Sequence, residues 1–165
     1  MKPVLIIAIA ATGILGLIVG ITQINELDEF SIDEPEFLYD ENLDCLGTAQ
    51  CFEGEVNKII DGNSILVGDQ SVRFSLSSAP QLKGFGGVDA RDFLETLCPV
   101  GSTVTVDEDD GQIIGVYGRL VGLVYCDEII LNQEILDANI AYLEKRFCDS
   151  SEFANTTWAI KHGCE

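Results

Sequence analysis

The apolar positions of this chain form two different patterns, and the first is one long continuous run. Residues 3–21 carry no charge, and Thr12 is their only clearly polar side chain. A helix of this length reaches across a hydrocarbon core of about 30 Å. Residues 1–24 are therefore predicted to be a transmembrane anchor. The alternative is a cleaved signal segment, because Lys2 supplies a basic start, although no A-x-A cleavage site follows.

The second pattern consists of short runs in which apolar and polar positions alternate. Val72, Phe74 and Leu76 alternate with polar neighbours, so this run should bury one face and present Arg73 from the other. A turn sequence at residues 61–63 separates the first two runs. These features predict five strands, at residues 52–60, 64–67, 71–77, 103–106 and 120–125.

Helical spacing occurs between and after the strands. Residues 88–97 carry apolar side chains on one side and stop before Pro99. A second helix is predicted to begin after Asn132, a typical N-cap residue, and to carry Ile140; a third covers residues 151–161 and ends at Gly163. Three strands, a helix, two strands and final helices predict a mainly β, α+β fold. This order suits a five-stranded OB-type Greek-key barrel with flanking helices, a topology that the pattern alone does not fix.

Acidic side chains outnumber basic ones by 28 to 9, which gives a formal net charge of −19. Such a field repels a polyanion, so nucleic acid is not expected as a partner. Residues 25–44 concentrate the charge, with nine acidic positions of twenty. A stretch of this kind repels itself and buries little, which predicts a solvated acidic linker. The alternative is a docking tail for a basic partner, with apolar anchors at Phe30, Phe37, Leu38 and Tyr39.

The cysteines follow the acidic linker, and their even number favours disulfides. They form no CxxC pair and the chain has a single histidine, His162, so a zinc site is not expected. Spacing favours bridges that close the short loops 45–51 and 148–164 and leave residues 98 and 126 for each other. Other pairings stay open. The six residues are Cys45, Cys51, Cys98, Cys126, Cys148 and Cys164.

Disulfides persist outside the cytoplasm, and the charges that flank the N-terminal run indicate the same compartment. Lys2 precedes the run, whereas Glu26, Asp28 and Glu29 follow it. The positive-inside bias therefore places the C-terminal domain, residues 45–165, outside, either anchored to the membrane or secreted after cleavage. Asn155 begins an Asn-Thr-Thr acceptor pattern for N-glycosylation, which such a location makes usable.

Three short motifs follow one another in register along the predicted barrel sequence. They are VNKIIDGNS at residues 56–64, VRFSLSSAPQ at residues 72–81 and YGR at residues 117–119. This arrangement resembles the thermonuclease (staphylococcal nuclease-like) family, over roughly residues 52–147. The likeness includes residues 107–112, which fall on the family's loop before its YGR turn, and residues 131–134, which fall on its next helix start.

The resemblance implies that Arg73 and Arg119 occupy the two arginine positions that bind the scissile phosphate in this family. A guanidinium suits phosphate oxygens because it is planar, always charged and able to bind through two hydrogen bonds. The simpler interpretation is that both are ordinary surface arginines or partners of the abundant carboxylates.

The acidic positions of the family's site are replaced. Asn63 stands where the family's D-G-D-T turn has its second carboxylate, and Ser78 and Gln81 stand where its D-T-P-E segment has a metal carboxylate and the glutamate that assists water attack. Asp61 remains, and we interpret it as the acceptor of an Asx turn. Calcium needs about six to eight oxygen ligands, and Gln81 accepts no proton near neutral pH. Calcium binding and base catalysis are both expected to be lost.

These replacements decide the predicted function. We expect a catalytically degenerate binding or assembly module without a cofactor, which acts beside a membrane complex or a basic protein partner. The alternative is an active, divergent nuclease that hydrolyses DNA or RNA with calcium, in which Asp61 and residues 107–110 rebuild the metal site. We interpret residues 107–110 as a solvated loop, because the glutamate expected further along a calcium loop is missing.

Overall fold

The computed structural model of the chain describes residues 45–112 and 118–165. The predicted transmembrane anchor at residues 1–24, the predicted linker at residues 25–44 and Tyr117 of the YGR motif lie outside the described residues. Within the described ranges, no helix combines the length and the apolar character that a membrane crossing requires. The fold is therefore that of the C-terminal domain.

Strands dominate the first half of this domain and helices its second half. The strands are β1 Cys51–Asp61, β2 Ser64–Val67, β3 Gln70–Phe74, β4 Ser77–Ser78, β5 Thr103–Glu108, β6 Leu120–Cys126, β7 Ile129–Ile130 and β8 Tyr142–Leu143. The helices are α1 Gly87–Leu97, α2 Leu131–Asp137 and α3 Thr157–His162.

Five of these strands close into a barrel. Antiparallel pairs run in the order β3-β2-β1-β5-β6, and a parallel pair between β3 and β6 closes the ring. β7 pairs with β6 as a short hairpin, and β4 pairs with β8 in a separate two-stranded sheet. The closed five-stranded barrel with three helices confirms the α+β barrel that the order of strands and helices predicts, and the arrangement is OB-like.

The turn between β1 and β2 packs directly against α1. A Cβ on Gly62 would lie 2.5 Å from the Cβ of Ala90 and 2.8 Å from that of Ala79. Only glycine fits at this approach, because carbon atoms do not come that close without displacing the backbone. The turn that carries Asp61 and Asn63 is therefore fixed against α1.

Two apolar clusters hold the domain together. The first lies between the barrel strands and is covered by Leu94 of α1 and Ile135 of α2. The second lies under the C-terminal arm (residues 144–165), where Phe153 and Trp158 are almost completely buried. Burial of a side chain of this size stabilises the fold by roughly 2–3 kcal/mol. The C-terminal arm is therefore part of the folded body.

All six cysteines form disulfides, and the pairing is the one that chain spacing favours. The pairs are Cys45–Cys51, Cys98–Cys126 and Cys148–Cys164. The second joins the end of α1 to the end of β6, and the third ties the end of the chain to the start of the C-terminal arm. Loop closures of this kind contribute about 2–4 kcal/mol each to a small domain.

The predicted ends of the third strand and the predicted extent of the third helix are wrong. β3 ends at Phe74 rather than at residue 77, because Leu76 adopts a left-handed backbone with a φ of 56° that breaks the extended run. The third predicted helix is interrupted, since a 3-10 turn at Glu152–Asn155 precedes α3. Thr156 separates the two with an extended backbone and caps α3 through its side-chain oxygen.

The second helix differs from the prediction at Asn132. α2 begins at Leu131, so Asn132 lies in its first turn rather than at its N-cap, and the helix ends at residue 137, short of the predicted 140. The Asn132 side chain is fully buried and bonds to three backbone groups. Its Oδ1 accepts from the Val124 amide at 3.0 Å, and its Nδ2 donates to the carbonyls of Ser75 (3.0 Å) and Gly122 (3.1 Å). One side chain therefore joins α2, β6 and the end of β3.

Truncation of Asn132 is expected to destabilise the domain strongly. Asn132→Ala leaves buried backbone groups without this partner, and each such group costs about 1–3 kcal/mol. We expect the free energy of unfolding, measured by urea titration, to fall by about 3 kcal/mol or more. Asn57→Ala removes one exposed hydrogen bond, to the Gly68 carbonyl, and should cost less than about 1 kcal/mol. Equal losses in the two variants would contradict the role of Asn132.

Candidate functional site

The six site residues implied by the resemblance line one cavity of about 360 Å³. Ala79, Leu82 and Lys83 complete its lining. The six are Asp61 and Asn63 at the β1–β2 turn, Arg73 on β3, Ser78 on β4, Gln81 in the next loop and Arg119 directly before β6. Residues from distant parts of the chain thus meet at one place on the barrel surface.

Arg73 lies at the seam that closes the barrel. It stands opposite Ser64 on β2 and opposite Val121 on β6. Its neighbours Val72 and Phe74 are buried in the core, so the alternation of the strand turns Arg73 to the other face. The side chain is half-buried there, as the alternation along β3 predicts.

The two guanidinium groups face the same space. Burial lowers the pKa of Arg73 from its ordinary value, and the nearby charge of Arg119 lowers it further, while Asp61 and Glu144 act in the opposite direction. Arg119 Nη1 donates to Ser64 Oγ at 3.4 Å, which holds the group against β2. Guanidinium groups are charged at neutral pH. An anion placed between them would relieve their mutual repulsion.

Both arginines also line a second cavity of about 270 Å³. Glu144 and Arg146 stand on this side and form an ion pair at 2.7 Å, and Gln112 adds an amide group. Arg146 is largely exposed and stacks over the ring of Phe147, 4.7 Å from its centroid. Sequence reasoning missed Glu144 and Arg146, because no motif marks the C-terminal arm.

The β1–β2 turn uses its polar side chains to hold the backbone. Asp61 Oδ1 accepts from the Asn63 amide at 3.1 Å, which is the predicted Asx turn. Asn63 is only 2% exposed, and its Nδ2 donates to the Ser77 carbonyl at 2.7 Å. A carboxylate at position 63 could not make this second bond, because it has no hydrogen to donate. Asn63 is therefore part of the scaffold that connects the turn to β4.

The cavity lacks the ligands that calcium requires. Asp61 is the only carboxylate that lines it in the described part of the chain, against three cations, Arg73, Lys83 and Arg119. Among residues 45–112 and 118–165, no group of three or more Asp, Glu, His or Cys side chains is placed to hold a metal ion. Calcium prefers roughly six to eight oxygen ligands, several of which are anionic. The described residues do not fit calcium, and they fit an anion instead.

Gln81 offers no replacement for a catalytic base. Its side chain lies in an exposed loop, and its backbone carbonyl accepts from the Gly84 amide at 2.7 Å. A neutral amide takes up no proton near pH 7. Lys83, two residues further along, adds a positive charge that motif comparison missed because it lies just outside the VRFSLSSAPQ segment.

The acidic run at residues 107–110 is not the solvated loop that was predicted. Asp107 and Glu108 belong to β5, and Asp109 is completely buried; only Asp110 is exposed. Asp109 accepts hydrogen bonds from the Ser75 hydroxyl, the Gln112 side chain and two backbone amides. These bonds satisfy its buried carboxyl oxygens, and they connect the end of β5 to the C-terminal arm.

Two other carboxylates of the run, Asp107 and Asp110, bind the loop that precedes β1. Asp110 accepts from the Thr48 amide at 2.9 Å, and Asp107 Oδ2 accepts from the Leu46 amide at 2.9 Å. The pKa of Asp107 is raised from 3.8 to about 6, mainly by burial and also by the nearby charge of Glu152, while the hydrogen bond from the Leu46 amide acts in the opposite direction. These carboxylates therefore make hydrogen bonds that hold the fold, and none of residues 107–110 lines the cavity that contains Asp61 in the described part of the chain.

Asn155 lies on the surface at the end of the 3-10 turn, and Thr157 of the acceptor pattern is also exposed. Its position is compatible with a glycan.

No protein-family model matches this chain, and no curated protein matches it. The fold and the cavity define a disulfide-bonded β-barrel domain with a cationic surface cavity, and the functional assignment depends on that geometry.

The buried Asp107 predicts an unusual dependence of stability on pH. The pKa of Asp107 in the folded protein, about 6, exceeds its value in the unfolded chain. The contribution of this carboxyl to the stability of the fold is therefore complete below about pH 3.8 and is lost as the pH rises through about 6. We expect the melting temperature to rise by about 5 °C when the pH is lowered from 7.5 to 5. Asp107→Asn should raise the melting temperature at pH 7.5 and flatten this dependence.

The exposed Asp69 provides the control for this measurement. Asp69→Asn removes the same charge from an open turn, so it should leave the slope unchanged. A slope that survives Asp107→Asn would assign the pH dependence to other groups.

Proposed function

We propose that this chain is a membrane-anchored, extracytoplasmic domain of the thermonuclease-like type that has lost hydrolysis and binds an anionic group between Arg73 and Arg119. In this role it serves as a binding or assembly module. One observation carries the proposal. The two arginines line the same cavity of about 360 Å³, in which, among the described residues, three cations stand against one carboxylate.

The composition of the cavity supports binding without cleavage. Hydrolysis of a phosphodiester needs an activated water molecule, and a general base typically contributes about 10²- to 10⁴-fold. Gln81 supplies no base, and Asn63 is committed to the Ser77 carbonyl. The arginine pair remains, and planar guanidiniums bind phosphate or carboxylate oxygens with or without a reaction.

The charge of the whole domain supports a single anionic group rather than a nucleic acid. Residues 45–165 carry eight basic and nineteen acidic side chains, a net charge of −11. A long polyanion would meet this acidic surface on either side of the cavity. A basic protein partner that presents one phosphate or carboxylate would satisfy both the cavity and the surface around it.

The proposed location rests on two features of the sequence and one of the structure. The uncharged run at residues 3–21 has the length of a membrane helix, and the charges beside it favour an outside domain. Three disulfides suit an oxidising compartment. The intact mass of the protein from its native membrane would test this directly, because it reports residues 1–24, the disulfides and any glycan on Asn155 together.

A binding assay and a cleavage assay test the proposed activity. We expect the full chain, held in phosphatidylcholine nanodiscs, to bind inorganic phosphate at constant ionic strength in calorimetric titrations. Arg119→Ala should weaken this binding by about tenfold or more, because a hydrogen bond to a charged group is worth about 1.5–3 kcal/mol. Single-stranded DNA with calcium should stay intact.

Arg91→Ala is the matched control. Arg91 pairs with the exposed Asp92 and lines neither cavity, so its loss should not change phosphate binding. Calcium-dependent cleavage that disappears in Arg119→Ala would contradict the proposal and support the divergent nuclease. Phosphate binding that is absent, or equal in the two variants, would exclude the arginine cavity as the anion site.

A further inference from the structure

The loop at residues 81–87 exposes apolar side chains beside the cationic cavity. Phe85 projects entirely into solvent, with a relative exposure of 103%, and Leu82 is 39% exposed while it lines the cavity. Val88, in the first turn of α1, is 47% exposed. Leu82 thus brings an exposed apolar segment to the cavity, and Lys83, which also lines the cavity, lies within the same segment.

The base of this loop has a defined conformation. The Gly84 amide donates to the Gln81 carbonyl at 2.7 Å, and the Gly87 amide donates to the Gly84 carbonyl at 3.2 Å. Gly86 has a φ of 76°, which a side chain would strain, and a Cβ on Gly87 would lie 2.0 Å from the Gln81 carbonyl oxygen. The backbone on both sides of Phe85 is thus fixed by close contacts. The loop presents Phe85 to solvent in a specific turn.

We propose that the rim formed by Leu82 and Phe85 is the apolar half of the arginine cavity, and that the ligand is an amphiphilic anion: a phosphate or carboxylate attached to an aromatic or aliphatic group, presented singly by a soluble partner. This inference rests on the proposed function, because it assigns the anionic half to Arg73 and Arg119. A cavity of about 360 Å³ lies within the usual range for small ligand groups.

Charge complementarity favours a soluble partner over a lipid bilayer. α1 follows the loop directly and exposes Asp89, Asp92 and Glu95. A bilayer or a polynucleotide that reached the cavity would bring further anions against these carboxylates, which costs binding energy. A single anion with an apolar neighbour contacts the arginines and the rim and adds no charge near α1.

The experiment compares benzyl phosphate with inorganic phosphate on the full chain in phosphatidylcholine nanodiscs. Benzyl phosphate should bind about tenfold more tightly, since burial of part of its ring against the rim removes apolar surface from water. The double variant Leu82→Ala/Phe85→Ala should reduce the ratio of the two affinities to about one. Ile160→Ala removes another exposed apolar side chain, on α3, and should have no effect.

The outcomes separate this inference from the proposed function. Equal affinities for the two ligands, or a preference for benzyl phosphate that survives in the double variant, would overturn the apolar rim while phosphate binding still supports the anion site. Failure of the wild type to bind either ligand would overturn both.

A bilayer ligand has its own signature. The variant Phe85→Trp adds a fluorescent reporter at the loop. The chain has one native tryptophan, Trp158, which is buried. We expect the emission of the added tryptophan to be unaffected by brominated acyl chains in the nanodisc. Quenching of the added tryptophan would place the loop in the membrane and overturn the assignment to a soluble partner.

Discussion

The parallel pairing of β3 with β6 is the contact on which the barrel and the cavity both depend. It sets Arg73 opposite Val121 and so brings β3 beside the segment that contains Arg119. Parallel strands need a long connection, and here the connection includes α1 and β5. Asn132 braces the same seam, because its amide bonds both to β6 and to the backbone that follows β3. The cavity is therefore a product of barrel closure, and no local segment could form it alone.

Electrostatics act at two different distances in this domain. Close to the cavity, Arg73, Arg119 and Lys83 outweigh Asp61. Further away the surface is acidic, yet charges beyond about 8 Å are largely screened at physiological ionic strength. A compact anion experiences mainly the near field, whereas an extended polyanion experiences both. Several of the acidic side chains serve the fold: Asp109 joins β5 to the C-terminal arm through hydrogen bonds.

Local pattern was sufficient for the features that depend on neighbouring residues. Alternation along β3 predicts the orientation of Arg73, and the turn chemistry of Asp61 predicts its Asx bond. The features that it missed depend on partners far away in the chain. Asn132 is of a residue type that is common at N-caps, but its hydrogen bonds to distant backbone groups place it inside α2. The run that begins at Asp107 looks solvated because its partners come from the start and the end of the domain. The role of Phe85 is visible only once the cavity beside it is known.

The hydrogen bond from Asn63 to the Ser77 carbonyl also bears on how such a domain can change over evolutionary time. On the proposed thermonuclease-like ancestry, an aspartate at this position would restore one carboxylate, yet it would remove the donor and set two acceptors against each other, at a cost of about 1–3 kcal/mol. Ser78 and Gln81 would have to revert as well before any gain in hydrolysis. On the same proposal, the change at residue 63 costs stability before the other two positions regain a ligand or a base. The side chain that shapes the turn would then make the loss of hydrolysis hard to reverse.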